Sequence, residues 1–418
     1  MLGFVGPFGD SNYGDYAMFV NDVYSLKNSH IMVFSYNTNL INILKDKYLN
    51  SVNVECCQVD IEYSYKEKFT GAYHVEFDTR PYTPFEIISK VKNIDYLRKK
   101  ISQIDYLIVC GGGYFNHIWN ANHRKAKLFS ILATIYIAAE EKKHIYFMGN
   151  TFGPFNESKL LFENFFNAIP ANLVTYAVRD TVYSDKELKR LGVASDIVAV
   201  PDDLYFLDNS FSISFDVRKK KIKDKYIIWE CYASMDEIKL NMETIRYFSN
   251  EMKRRYNLRV LFLPLDKRFG GEYQGKLICE LDPQILFYDI DKEIIEVAEL
   301  NYLVQNAELV VGHRYHLFLT SLVNNVPCVS VLKEVNGDYR YYYCKVKGLL
   351  DQVFENQIYF EDNFIRIDMW ETLCFIVNNF GEIINAQKNV FNINKIAAEK
   401  KMKQKRDEYL QRIEKSII

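Results

Sequence analysis

Short apolar runs alternate with helix-type segments along most of the chain, and this alternation constrains the fold more than any other feature. Examples are the runs at 105–110 (DYLIVC), 144–148 (HIYFM), 259–265 (RVLFLPL) and 327–333 (PCVSVLK). Uninterrupted apolar strands joined by helices are typical of a parallel sheet that is covered by helices on both faces. The sequence therefore predicts an α/β protein with Rossmann-like, doubly wound parallel sheets.

The alternation is interrupted once and then restarts. Residues 208–225 (DNSFSISFDVRKKKIKDK) are polar and basic and show no apolar period. We therefore predict an N-terminal α/β domain over 1–208, a linker over 209–224 and a C-terminal α/β domain over 225–393. The final segment, 394–418, has no Gly or Pro and is rich in Lys, Glu and Arg, which predicts a solvent-exposed amphipathic helix. Two such domains make the cleft between them the expected ligand site, with strand ends facing it.

Composition excludes several classes of protein. The 418 residues carry 52 basic and 54 acidic side chains, a net charge of −2, whereas a nucleic-acid-binding protein usually has a basic excess. The 8 cysteines form no C-x-x-C pair, and we interpret them as buried apolar residues in a reducing compartment.

No secretory signal begins the chain and no apolar run approaches the length of a membrane span, so a cytoplasmic protein is expected. The basic stretch 400–406 (KKMKQKR) could contact an anionic membrane surface.

Three predicted strands of the first half end in glycine-containing segments. Backbone N–H groups in such segments can approach an anion, although a tight turn also explains any single one. Three of them at one sheet edge favour a shared ligand cleft. Neither the dinucleotide fingerprint nor the P-loop pattern is present. The segments are GPFGDSNYGD, with Asn12, Gly14 and Asp15; Gly111-Gly112-Gly113; and GNTFGPF, with Thr151 and Gly153.

Charged residues follow two further strands. Arg179 comes directly after the strand VTYAV, where its planar guanidinium can bind a phosphate or a carboxylate; a pair with Asp180 or a helix cap is the structural alternative. Asp202 and Asp203 are adjacent, so on extended chain their side chains point to opposite faces. We predict one structural or substrate-orienting carboxylate here, Asp202, rather than a metal pair.

The densest group of ionisable residues is His313-Arg314-Tyr315-His316, between the apolar strand ELVVG and the apolar helix LFLTSLV. Arg314 and His316 are expected to face the cleft beside a helix N-terminus, which favours anions, and a histidine there suits proton transfer. Local capping by the two histidines is the structural alternative. No zinc-type His/Cys cluster accompanies the motif, so no metal is predicted, and no G-x-S-x-G elbow indicates a serine hydrolase.

Taken in order, these motifs resemble the polysaccharide pyruvyl transferase family over roughly residues 3–348. The chain departs from the family pattern at Asp202-Asp203, which lacks the usual proline, and it matches poorly at 339–345 and 51–84, positions that touch acceptor recognition more than the donor site. The matching pieces are Asn12-x-Gly14-Asp15, Gly111-Gly112-Gly113, the GPF at Gly153, Arg179-Asp180 with Ser184 and Leu188, Leu191-Gly192, and Gly312-His313-Arg314-Tyr315-His316 leading to Asn325-Val326-Pro327.

The resemblance implies a two-domain fold similar to the GT-B glycosyltransferases. It also implies transfer of a pyruvyl group from phosphoenolpyruvate to a sugar of a cell-surface polysaccharide or its precursor, as a ketal. His316 would be the general acid, acting with Arg314 and Arg179 in a donor site of the C-terminal domain, and the N-terminal domain would carry the acceptor side. The further residues expected to bind substrate are His313, Asn12, Gly14, Asp15, Gly111, Gly112, Gly113, Thr151 and Asp202.

This reaction requires no redox cofactor and no nucleotide, and none is predicted; phosphoenolpyruvate is the donor substrate. The expected acceptor is a glycan or a lipid-linked oligosaccharide, which would place the protein in the cytoplasm or at the inner face of the membrane. Two other functions stay open. One is a GT-B-like glycosyltransferase, for example a sialyltransferase-like enzyme, that uses a nucleotide sugar. The other is a non-catalytic member of the family that binds a glycan or a partner. The presence of Arg179, Arg314 and His316 argues against this second function.

Overall fold

The structure is a computed structural model that describes residues 1–27, 30–64, 76–180, 182–207, 222–266, 271–290, 294–355, 359–391 and 395–417. The strands are β1 (Leu2–Val5), β2 (His30–Ser35), β3 (Asn53–Gln58), β4 (Tyr106–Val109), β5 (Gly112–Phe115), β6 (His144–Phe147), β7 (Asn150–Phe152), β8 (Val174–Val178), β9 (Asp196–Ala199), β10 (Tyr226–Trp229), β11 (Arg259–Phe262), β12 (Leu286–Phe287), β13 (Ala307–Gly312), β14 (Cys328–Val331) and β15 (Ile365–Arg366).

The helices connect and cover these strands. They are α1 (Tyr13–Ser25), α2 (Asn39–Lys47), α3 (Pro84–Ile88), α4 (Ile94–Ser102), α5 (Asn122–Glu140), α6 (Lys159–Asn167), α7 (Ser184–Arg190), α8 (Met235–Leu240), α9 (Met242–Tyr256), α10 (Glu272–Leu281), α11 (Val297–Gln305), α12 (Tyr315–Val323), α13 (Arg340–Val353), α14 (Met369–Phe391) and α15 (Lys395–Ile417).

The first sheet is parallel, with the order β3-β2-β1-β4-β6-β8-β7-β5 and β9 paired to β8. Strand β3 lies in a stretch whose sequence is irregular, because this edge strand leaves part of its side chains exposed and so lacks a continuous apolar run. Strands β5 and β7 arise from glycine-containing segments that the sequence predicts as loops. Backbone pairing there extends the sheet past β8, and the stacked rings of Phe115 and Phe152, 5.3 Å apart, join the two strands.

The second sheet is also parallel, with the order β12-β11-β10-β13-β14-β15. Counted within this half, the order is 3-2-1-4-5-6, the doubly wound arrangement in which strands are added first on one side of the first strand and then, by a reversal, on the other. The same reversal occurs between β1 and β4 of the first sheet. The predicted α/β class with doubly wound parallel sheets is therefore confirmed.

One apolar cluster joins the two halves of the molecule. It extends from Phe4 and Phe19 of the first half through Leu204 to Leu317 and Val310 of the second. Most of the predicted linker, 209–224, lies outside the described residues, so the domain boundaries stay predictions.

The C-terminal helix α15 is helical as predicted, but the prediction that it is solvent-exposed is wrong. Tyr409 and Ile413 are buried in the shared apolar cluster, and the Tyr409 hydroxyl donates to the Phe147 carbonyl at 2.7 Å. Arg406 Nη2 donates to Ser25 Oγ at 2.7 Å. The helix therefore returns from the second half and packs its apolar face on the first. Its many charged residues indicate exposure, but most of them lie on the outer face.

No helix in the described part of the chain is both long enough and apolar enough to cross a bilayer.

We expect Tyr409→Ala to destabilise the protein strongly, because it removes a buried aromatic ring and its hydrogen bond. Loss of a buried aromatic side chain costs about 3–5 kcal/mol. Lys405, exposed on the same helix, gives the control: Lys405→Ala should change the free energy of unfolding by less than about 0.5 kcal/mol. Urea unfolding of the three proteins measures both effects. Equal midpoints for the two variants would contradict the packing of α15.

Candidate active site

A cavity of about 230 Å³ opens where the carboxyl ends of both sheets meet. This is where loops at the two reversal points converge, the usual ligand position in doubly wound sheets. The lining residues are Asp10, Asn12, Tyr13, Gly14, Asp15, Gly113, Tyr114, Trp119, His123, Arg124, Lys127 and Arg179 from the first half, and Tyr232, Leu265, Asp266, His313, Arg314, Tyr315, His316, Tyr341, Tyr342 and Lys345 from the second.

Arg179 reaches the cavity from the end of β8 and is held on three sides. Its Nε donates to Thr151 Oγ1 at 2.6 Å, and its Nη1 pairs with Asp202 Oδ2 at 2.5 Å. Its guanidinium lies 4.6 Å from the centre of the Tyr315 ring. Thr151 and Asp202, both predicted to bind substrate, are buried and do not line the cavity. They orient Arg179 instead.

Arg314 enters the cavity from the other half, at the end of β13. Its Nε lies 3.8 Å from Glu230 Oε1 and its Nη2 lies 3.9 Å from Asp266 Oδ2. Glu230 Oε2 also accepts hydrogen bonds from the backbone N–H groups of His313 at 2.8 Å and of Arg314 at 3.0 Å. Burial raises the pKa of Glu230, while Arg314 opposes that rise. Glu230 thus fixes the turn that presents Arg314.

His313 and His316 occupy different environments. His313 lines the cavity, but its Nδ1 accepts a hydrogen bond from the backbone N–H of Tyr232 at 3.0 Å. His313 therefore has, in part, the local structural role that the sequence leaves open as the alternative. Burial lowers the pKa of His313 to about 3, and Lys333 and Arg314 add to the effect. The accepting Nδ1 fits the neutral ring that this pKa implies.

His316 lies in the first turn of α12 and meets the first half of the chain. Its Nε2 is 3.9 Å from Asp202 Oδ2, and within the described residues this buried atom has no hydrogen-bond partner. Burial lowers the pKa of His316 to about 3; Asp202 opposes this, and nearby cations add to it. An unpaired ring nitrogen in a cavity lined by cations is available to a substrate.

Gly14 makes the approach of His316 possible. A Cβ atom at this position would lie 1.8 Å from His316 Nδ1, so no other residue fits without displacing the ring. Asn12 precedes α1, and its Nδ2 donates to Asp15 Oδ2 at 2.7 Å. Burial raises the pKa of Asp15 to about 7, partly offset by that hydrogen bond. The first glycine segment therefore contributes two features to the site: the space that Gly14 leaves for His316, and the carboxyl group of Asp15.

The three residues of the second glycine segment differ in whether they line the cavity. Gly113 lines the cavity, whereas Gly111 and Gly112 do not. A Cβ atom at Gly111 would lie 2.4 Å from Asp203 Oδ2, and Gly112 has a φ of +137°. These two glycines serve internal packing and backbone geometry, and the structure does not bring them to the cavity as predicted.

Several residues that line the cavity or support its lining are absent from the sequence-based prediction. Glu230 carries a signal that could have been used, since it is a carboxylate at the end of the apolar run YIIW. Tyr232 and Asp266 follow strands β10 and β11 in the same way. Tyr341 and Lys345 carry no such signal, because they lie on helix α13 in a segment with no recognisable motif.

The cavity is rich in cationic groups: Arg124, Lys127, Arg179, Arg314 and Lys345 line it. Lys127 pairs with Asp10 at 2.7 Å. Among the described residues, no group of three or more His, Cys, Asp or Glu side chains is arranged to hold a metal ion. The chemistry of the lining favours a small anion with more than one negative group.

The whole chain is similar in fold to several solved structures. A UDP-glucosyltransferase from Polygonum tinctorium matches with a TM-score of 0.56 at 10% identity, covering 99% of this chain and 98% of that one. Anabaena Alr3699/HepE, solved with UDP and glucose, matches with a TM-score of 0.54 at 11% identity, covering 100% and 99%. These likenesses show the fold, and they confirm the predicted GT-B-like architecture.

A third structure, UDP-GlcNAc 2-epimerase from Methanocaldococcus jannaschii, matches with a TM-score of 0.54 at 14% identity, covering 90% of this chain and 91% of that one. No curated protein sequence matches the chain. The family model described as polysaccharide pyruvyl transferase matches residues 12–332. That range begins at Asn12 beside the cavity and includes Arg179, Arg314 and His316, and over it the chain belongs to the polysaccharide pyruvyl transferase family.

Proposed function

We propose that the protein transfers the pyruvyl group of phosphoenolpyruvate to two hydroxyl groups of a sugar, forming a ketal on a polysaccharide or its precursor. Family membership supports a transferase that acts on polysaccharides. The observation that carries the proposal is the convergence of Arg179 from one half with Arg314 and His316 from the other in one cavity.

The donor's charges match the two arginines. Phosphoenolpyruvate carries a phosphate and a carboxylate only a few bonds apart, and each group suits the planar fork of an arginine. Asp202 and Thr151 hold Arg179 on one side of the cavity, and Glu230 and Asp266 flank Arg314 on the other. Two cations fixed by separate supports give the donor a defined orientation.

The reaction balances with one proton relay. Protonation of the enol carbon C3 makes a methyl group and leaves C2 electrophilic. One sugar hydroxyl adds to C2, and the second displaces the phosphate there. Of the two hydroxyl protons released, one replaces the proton given to C3 and the other leaves on inorganic phosphate. A single acid–base group that donates first and accepts afterwards therefore suffices.

His316 is the group we assign to that relay. Its imidazole is neutral at pH 7 in this structure, because burial holds its pKa down to about 3. The negative charges of a bound donor stabilise the imidazolium and raise this pKa. Binding of the donor thus favours the protonated form of His316 in the site where that form acts as the acid. His313 is held by Tyr232 and is assigned to positioning rather than to proton transfer.

We expect phosphoenolpyruvate to raise the unfolding temperature of the wild type and to leave that of Arg314→Ala almost unchanged. A ligand at 100 times its dissociation constant adds about 2.7 kcal/mol of stability. Arg254→Ala, at an exposed arginine paired with Glu251 on α9, should respond like the wild type. CMP-, UDP- and GDP-sugars are tested in parallel. A shift with one nucleotide sugar and none with phosphoenolpyruvate would instead support a glycosyltransferase.

We expect His316→Gln to abolish transfer while phosphoenolpyruvate still binds, because the amide cannot relay a proton. Glycan-bound pyruvate, released by acid from the polysaccharide of the producing cells and assayed with lactate dehydrogenase, measures transfer without knowledge of the acceptor. His144→Gln, at the opposite end of β6 from the cavity and exposed, is the control. Pyruvate in the His316→Gln strain at the level of the control would refute the assigned role.

We expect donor binding to take up protons, and the affinity to fall as the pH rises through the pKa of His316 in the complex. The sign follows from linkage: the bound state holds more protons than the free state, because the pKa of free His316 is lowered to about 3. Isothermal titration calorimetry in two buffers of different ionisation enthalpy measures the uptake. His316→Gln should take up fewer protons; equal uptake would assign the proton to another group.

A further inference from the structure

We propose that Trp119 and Arg124 form a subsite that selects an acidic sugar, one that carries its own carboxylate or phosphate group. The Trp119 ring packs on the sugar, and the Arg124 guanidinium binds the charged group. The sugar is the acceptor of the reaction proposed above, so the inference rests on the proposed function at that point. It assigns a class of acceptor that neither the sequence motifs nor the family match specifies.

The three arginines that line the cavity differ in their partners. Arg179 pairs with Asp202, and Arg314 lies near Glu230. Arg124 lines the same cavity and is half-buried, but within the described residues its guanidinium forms no hydrogen bond and no ion pair. A guanidinium that the protein leaves unpaired can bind a carboxylate or a phosphate of a ligand with both arms of its fork.

The position of Arg124 in helix α5 gives a second reason to expect an anion. The residue lies in the first turn of α5, and this turn contains no acidic side chain. The N-terminus of a helix carries partial positive charge, so an arginine there is unfavourable and a nearby anion is favourable. Lys127, one turn further along, has a carboxylate partner in Asp10, 2.7 Å away. The charge of Arg124 is therefore left for a ligand to balance.

Trp119 provides an aromatic surface beside Arg124. The guanidinium carbon lies 5.9 Å from the ring centre, which is close to the limit of about 6 Å for a cation–π contact. Trp119 is half-buried and lines the cavity, and the Tyr114 ring supports it at a centroid distance of 5.8 Å. Its indole N–H has no hydrogen-bond partner within the described residues. The C–H groups of a sugar ring suit the electron-rich aromatic face, and the indole N–H can donate to a sugar oxygen.

Arg124 acts on a different part of the cavity from the cations around the proposed acid. Burial lowers the pKa of His316, and three other cations of the cavity, Arg179 first, add to this effect. Burial raises the pKa values of Tyr341 and Tyr342 on helix α13, and Arg124 opposes the rise at both. Arg124 therefore faces α13 across the cavity. Since two other arginines already match the charges of the proposed donor, Arg124 is left for the second substrate.

We expect Arg124→Met to remove a preference for acidic sugars without changing donor binding. Saturation-transfer-difference NMR, with and without phosphoenolpyruvate, measures the affinities for methyl glucuronide, glucose 6-phosphate and the neutral methyl glucoside. The wild type should bind at least one of the two acidic sugars about tenfold more tightly than the glucoside, the usual size of one charge-assisted hydrogen-bonded pair. Arg124→Met should bind all three alike. The preferred ligand identifies the charged group as a carboxylate or a phosphate.

Three further variants separate charge, stacking and nonspecific effects. Arg124→Lys keeps the charge and should keep part of the preference, a result that a packing role does not predict. Trp119→Leu should weaken all three sugars and leave their order unchanged. Arg98→Met is the matched control: Arg98 pairs with Glu140 at the far end of α5, 2.6 Å apart, and does not line the cavity. It should behave like the wild type. Calorimetry should give the same phosphoenolpyruvate affinity for every variant.

The outcomes distinguish this inference from the proposed function. A preference that survives in Arg124→Met would overturn the inference and leave the proposed function standing, as would equal binding, or no binding, of the three sugars by the wild type. Loss of phosphoenolpyruvate binding in Arg124→Met would place the arginine in the donor site and overturn the inference as well. A wild type that prefers acidic sugars through Arg124 but does not bind phosphoenolpyruvate would support the subsite and overturn the proposed donor.

Discussion

The buried ion pair between Arg179 and Asp202 is the interaction on which the site depends. Both side chains are almost fully buried, and such a pair is stable only when its remaining hydrogen-bonding groups are satisfied. Thr151 and the Tyr315 ring supply contacts to Arg179, and the backbone N–H of Leu204 donates to Asp202 at 3.0 Å. Because Tyr315 comes from the second half, its contact with Arg179 also joins the two halves of the molecule at the cavity. Asp202 in addition lies close to His316, so one carboxylate positions both a cation and the proposed acid.

Glycines make room for ionisable side chains of the site at two positions. Gly14 of the first half leaves space for the His316 ring of the second, and within the second half Gly312 leaves space for Glu230, whose carboxylate would lie 2.9 Å from a Cβ atom there. Each glycine stands opposite an ionisable group of the site. At both positions the absence of a side chain lets an ionisable group lie directly against the backbone.

The sequence predicts the parts of this structure that depend on local patterns. Apolar runs identify the central strands, and the ends of those strands locate Arg179, Arg314 and His316. It fails where structure depends on contacts remote in the chain. An amphipathic α15 is predicted, but that its apolar face is covered becomes evident only when Tyr409 is placed beside Phe147, and β3 lacks a continuous apolar run because it is an edge strand. Gly111 and Gly113 look alike in the sequence, yet only Gly113 reaches the cavity. Lys345 is indistinguishable from a surface lysine until α13 is placed.

The protonation states of the cavity residues give the site a common character. Burial lowers the pKa values of His313 and His316 to about 3 and raises that of Asp15 to about 7, and it lowers the pKa of Lys345 as well. Each shift favours the neutral form, because burial disfavours the charged form. Nearby cations add to the shifts of the two histidines and oppose the shift of Asp15. Arg179 and Arg314 keep their charge, since their guanidinium groups do not lose protons in this range. A small anion in the cavity thus meets permanent positive charge from both halves. Its own negative charge then favours protonation of the neighbouring neutral nitrogens, which would couple binding of the proposed donor to formation of the acid that the proposed reaction needs.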